Sequence, residues 1–152
     1  MSSKALKPSA SSLYDQDFFS WTIQTARLLR AGRFSEVDIE QLAEEIEGMG
    51  KSDKRELWSR LTIILVHLLK WKQQPEKRSR SWRSTLDDQR TEIRRLFRQS
   101  PSLRRDLAAA VEEVYPDAVR RAGIETGLPA ETLPRQCPFT EHQILNDEFL
   151  PK

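Results

Sequence analysis

The chemistry this sequence could perform rests on few side chains: two histidines, one cysteine, a run of glutamates and a row of arginines. His67 lies in the apolar stretch Leu57 to Trp71, at helical spacing with Glu56, Arg60, Ile63, Lys70 and Gln74. An imidazole there could shuttle a proton or hold a metal, with Glu44, Glu45 or Glu47 from a neighbouring helix as its companion. Helical bundles do build metal sites from Glu and His on facing helices. That chemistry needs three or four ligands, however, and the other histidine, His142, lies far along the chain with no HExxH or Glu-x-x-His spacing. A structural histidine satisfied by a hydrogen bond is the simpler reading, and neither a metal nor a cofactor is expected. Glutamates such as Glu44 and Glu47 on an amphipathic helix are ordinarily surface residues. Cys137, between Gln136 and Pro138, reads as inert packing.

A second constellation is basic. Residues 70–105 carry twelve basic side chains against four acidic ones, while 35–69 and 106–152 are net acidic. Arg80, Arg83, Arg90, Arg94 and Arg98 share one sector of a helix, interrupted by Asp87. Arg83, Arg90, Arg94 and Arg98 are therefore candidates for binding nucleic acid or another anion. A solvated or salt-bridged face facing the acidic helices is the favoured alternative. No Gly-rich phosphate loop, GxSxG or zinc-finger spacing occurs.

The elements that position these residues read as helices throughout. A first helix is expected over about Asp15–Ala31, with Phe18, Trp21, Thr25, Leu28 and Leu29 as its buried stripe and Gly32 beyond its end. Ser35 and Asp38 signal the start of a second, whose apolar face is Ile39, Leu42, Ala43, Ile46 and Met49, and which Gly48 and Gly50 stop or bend. A central helix over about 53–73 is apolar around most of its circumference and should be packed on several sides. Pro75 ends it. A fourth helix spans about Ser79–Gln99, and Ser100–Pro101 opens a fifth that Pro116 breaks, leaving a short sixth. From 128 to 152 four prolines mark an irregular strap, with one helical turn where Thr140 and Gln143 form a capping box. Its Leu133, Phe139, Ile144, Leu145, Phe149 and Leu150 should pack it along the bundle. No period-2 alternation occurs, so the chain is all-α: one bundle of about five to six helices over 13–152, preceded by a flexible tail over 1–12.

At 152 residues, 38% hydrophobic and 32% charged, this is a polar-surfaced chain long enough for one core. Its longest apolar run is half a membrane span, so no membrane partner is expected. One cysteine excludes an intrachain disulfide, and the tail has no secretory apolar region, so a cytoplasmic location is the default.

Several stretches together resemble a known family: YDQDFFSWTIQTARLLRAGRF (14–34), LAEEIEGMGKSDKREL (42–57), HLLKW (67–71), RSWRSTLDDQR (80–90), SPSLRRDL (100–107), YPDA (115–118), ETGLP (125–129) and CPFT (137–140). The chain is similar, over nearly all that follows the tail, to the bacterial family of domain of unknown function 29. That resemblance implies a helical bacterial protein and carries over no catalytic or binding residue. With no complete catalytic set, the favoured function is a non-catalytic interaction module, self-associating or binding a protein partner. The alternatives are the arginine stripe as an anion or nucleic-acid binder, and a small acid–base or metal-assisted enzyme at His67.

Overall fold

A computed structural model describes residues 12–152. The expected tail lies, Ser12 apart, outside the described residues. Six α-helices and no strand occur among the described residues, so the chain is all-α. The backbone contacts form two compact units, one ending at Met49 and one beginning at Gly50.

In the N-terminal unit the expected first helix is two. Helix α1 (Leu13–Gln16) is capped by Ser12, and α2 (Phe18–Arg30) by Asp17, whose carboxylate accepts from the Ser20 amide at 3.0 Å. Asp17 leaves helical geometry, at φ −153° and ψ 86°, which is the reason for the break. Gly32, at φ +71°, supplies the left-handed turn that follows. Ser35 is not the next cap. Phe34–Glu36 form a 3₁₀ turn, and the Asp38 carboxylate accepts from Gln41 N at 3.0 Å to start α3 (Ile39–Gln73).

Helix α3 is the expected second and central helices in one element. Gly48 and Gly50 do not end it, because a glycine costs a helix only about 1 kcal/mol relative to alanine and keeps its N–H in the ladder. Pro75 does follow its end, opening a 3₁₀ turn.

In the second unit the α3 stretch from Leu57 onward is the axis of the core. Leu57, Leu61, Ile64, Leu65, Leu68 and Leu69 are essentially inaccessible there. Around them pack α4 (Arg80–Gln99), capped by Ser79, and α5 (Leu107–Thr126). Residues 101–106 are a 3₁₀ segment instead of the expected first turn of the fifth helix. Pro116 lies within α5 without breaking it: the proline removes one donor, while buried Tyr115, Ala118 and Ala122 hold the turns on both sides. Gly127 closes the helix at φ +72°. Leu133, Phe139 and Ile144 of the strap are buried in the same core, and α6 (Glu141–Leu145) carries the expected Thr140–Gln143 capping box.

Candidate functional site

His67 lies on the second-unit part of α3, half-buried. Its Nδ1 is 2.8 Å from the Ile63 carbonyl. A carbonyl only accepts, so Nδ1 carries the proton and Nε2 keeps its lone pair when the ring is neutral. Burial, reinforced by nearby Lys70, pushes the imidazole below its ordinary value of 6.5. His67 lines a pocket of about 230 Å³ with Ile63, Val66, Arg121, Ile124 and Glu125. Glu125 is paired with Lys70 at 3.5 Å, and Lys70 also lies 4.6 Å from the Trp82 ring centre. No carboxylate hydrogen-bonds the imidazole among the described residues; the Ile63 carbonyl of its own helix fixes its tautomer instead. Glu44, Glu45 and Glu47 belong to the N-terminal unit, where Glu45 accepts a hydrogen bond from Tyr14.

The depressed His67 sets a stability signature. The unfolded imidazole takes up a proton as pH falls through about 6.5, while the folded one resists until lower pH. The unfolded state therefore binds more protons in that window, and stability is lost as pH falls through it. The urea midpoint is expected to drop between about pH 7.5 and about pH 5.5, and His67→Gln, neutral throughout, to drop less. An equal fall in both proteins would show that His67 is not the group.

The arginine row on α4 divides by depth. Arg90 is 1% exposed. Its Nε donates to Ile144 O at 2.8 Å, and its Nη2 to Gln143 O and Phe149 O at 3.1 Å each. Arg94 donates to Leu145 O at 3.3 Å and pairs with Asp147 at 2.8 Å. Arg78, just before α4, reaches Pro151 O at 3.5 Å. These guanidiniums hold the strap: Gln143, Ile144 and Leu145 present the last-turn carbonyls of α6, which have no partner within that short helix, and Phe149 and Pro151 present carbonyls beyond it. Arg80, Arg83 and Arg98 remain exposed, with no side-chain partner among the described residues. Two of the four candidate anion-binding residues, Arg90 and Arg94, are thus committed inside the chain.

Where α4 ends, a cleft of about 830 Å³ opens between Phe97, Arg98, Arg104 and Leu107 on one side and the strap residues His142 and Leu145 on the other. Its other charged residues are Arg94, Glu141, Asp147 and Glu148, so its formal charges balance. Cys137 is half-buried, burial pushes its thiol above the ordinary range, and its Sγ lies 3.5 Å from Phe139 O. A protonated, buried thiol is a poor nucleophile. No group of three or more metal-ligating side chains occurs among the described residues, and no helix of the described residues is long and apolar enough to cross a membrane.

The N-terminal unit holds what the periodicity did not reveal. Thr25 is buried and Trp21 and Leu28 are half-buried, but Phe18 and Leu29, expected inside, are exposed. Nine large apolar side chains of this unit are exposed, Phe19 at 74%, Met49 at 66% and Ile46 at 58% among them, and Val37 is its one buried apolar residue among those described. Helical spacing marks an apolar face; whether anything covers it is a property of the fold.

A family model described as Domain of unknown function DUF29 matches residues 13–150, spanning both units. No curated protein and no solved structure matches the chain. With nearly the whole sequence matched, the chain belongs to the DUF29 family.

Proposed function

We propose that the chain is a non-catalytic interaction module that buries the apolar surface of its N-terminal unit against another protein chain. One observation carries the reading: thirty-eight described residues leave nine large apolar side chains exposed. At roughly 200 Å² for a complete large side chain, these exposures amount to on the order of 900 Å² of apolar surface. Exposed large apolar side chains are ordinary when scattered singly, and nine within thirty-eight residues are more than that.

The other readings have less support. Anion binding by the arginine stripe would rely on Arg83 and Arg98, since Arg90 and Arg94 hold the strap. An enzyme at His67 would lack an orienting carboxylate. The single free cysteine fits a reducing compartment such as the cytoplasm.

A contact surface, unlike a core, tolerates polar substitution in the isolated chain. The variant Phe19→Glu/Ile46→Glu/Met49→Glu is expected to unfold in urea within about 1 kcal/mol of wild type, measured at a protein concentration too low for association. A loss above about 3 kcal/mol would mean that these side chains belong to the chain's own core, and would overturn the reading.

A further inference from the structure

We infer that the turn joining α3 to α4 binds single-stranded nucleic acid. This surface belongs to the second unit and is separate from the apolar contact surface proposed above, so either stands without the other. From Lys70 to Arg83 the chain carries six cations and one carboxylate, Glu76, with two tryptophans among them. Arg78 Nε donates to the Trp71 carbonyl at 2.8 Å, and Lys70 Nζ lies 4.6 Å from the Trp82 ring centre. The last turn of α3 and the first turn of α4 are thereby held together. Lys70 is answered by Glu125 at 3.5 Å, and Arg78 by carbonyls. Lys72, Lys77, Arg80 and Arg83 are exposed, and none has a side-chain partner among the described residues. By contrast Arg95, Arg120 and Arg121, also exposed, each meet a carboxylate. The first acids along α4, Asp87 and Asp88, come a turn beyond Arg83. A helix start favours acids and disfavours cations, yet α4 has Arg80 and Arg83 in its first turn and no acid there. That charge costs the fold stability, and an anion from outside recovers it.

The layout of the cations and the rings selects the partner. Lys70 and Trp82 face each other across the two helices. Lys72 and Arg80 are each two residues from one of them, and so lie about 160° round their own helices from that contact. The cations therefore surround the turn instead of lining one face. A stiff duplex meets the cations of one face; a single strand bends round a turn and brings its phosphates to all of them. Trp71 and Trp82 are half-buried, and neither is among the core residues or the part-buried side chains packed against that core. Each indole stands beside a fixed cation, Arg78 at 5.2 Å from the Trp71 ring centre and Lys70 at Trp82. Single strands are held by that pairing, bases on rings and phosphates on cations. A lipid surface needs apolar side chains standing clear of the cations, and no large apolar side chain between 50 and 123 is exposed. The whole chain has a formal net charge of only +2, so the attraction is local to this turn.

The test is fluorescence anisotropy of a labelled oligothymidylate titrated with the full chain over a range of salt concentrations. Binding is expected in the micromolar range at about 50 mM salt, with log K falling against log salt at a slope of about −3, from four phosphate contacts at about −0.7 each. Arg80→Gln/Arg83→Gln is expected to halve that slope and weaken binding at least about tenfold, and Lys72→Gln/Lys77→Gln to do the same. Arg98→Gln/Arg105→Gln removes equal charge at the far end of α4 and just after it, and is expected to leave binding within about twofold. Trp82→Leu is expected to lower the affinity about tenfold with the slope unchanged, because stacking releases no counterions. Circular dichroism spectra matching wild type show that the variants fold, and Trp71→Leu gives a second ring substitution. An anisotropy that stays flat up to submillimolar protein overturns the inference, as does equal weakening by the two arginine pairs. Tighter binding to the matching duplex or to phosphatidylserine vesicles overturns it too, and so do ring variants that bind as wild type does. None of these results touches the contact-surface reading, which fails instead if the triple variant unfolds.

Discussion

Arg90→Met is expected to destabilise the protein by about 3 kcal/mol or more, one of the two largest effects of any single substitution considered. Methionine fills most of the volume but donates nothing, and the carbonyls of Ile144, Gln143 and Phe149 lose the donor they share. Each buried acceptor left unpaired costs about 1–3 kcal/mol. Arg90→Lys is not a rescue, because one ammonium on a flexible stem cannot reproduce the planar fork that reaches two successive strap carbonyls and a third beyond them. Both variants should therefore lose most of the same stability in a urea titration. Trypsin should also cut faster at Arg135, the one strap arginine, if the strap detaches before the helices melt. An Arg90→Lys protein within about 0.5 kcal/mol of wild type would show that the clamp is not what holds the strap.

Leu65→Ala should cost about 3–5 kcal/mol, against a total of about 5–15 kcal/mol for a domain. Leu65 is completely inaccessible, with Leu61, Ile64, Leu68 and Leu69 alongside it on the axis of the core, so the deleted methyl groups leave a cavity that a close-packed surround fills poorly. Ile46→Ala, on the same helix but exposed, should stay within about 0.5 kcal/mol in the monomer. Urea midpoints for the pair measure the contrast directly. Equal losses at the two positions would contradict the burial of one and the exposure of the other.

Much of the local architecture was legible before any coordinates. The Thr140–Gln143 capping box and the proline at 75 act within a few residues of themselves, and both stand where their chemistry predicts. The greasy stretch around Leu65 announced its burial because a helix apolar on most sides has no stable place in water. Illegible were the features whose cause lies far along the chain. Arg90 shares a helical sector with exposed arginines, and nothing nearby distinguishes it; the carbonyls it serves lie more than fifty residues away. Gly48 and Gly50 looked like breakers because glycine weakens any helix, yet a weak link does not end a helix whose hydrogen-bond ladder it leaves complete. The break at Asp17 came from a side chain capping forward onto Ser20, one of several local competitors for the same backbone donors.

The amino-acid sequence by itself determined that this protein is helical, where α4 lies, where α3 ends, and which stretch forms the axis of its core, because periodicity and capping are settled among near neighbours. Only the tertiary structure decided that Arg90 and Arg94 face inward onto the strap, that His67 is tied to its own helix, and that the stripe of Ile39, Ile46 and Met49 meets water. Those outcomes depend on which surfaces remain to be covered, and which carbonyls still need donors, once distant segments have come together.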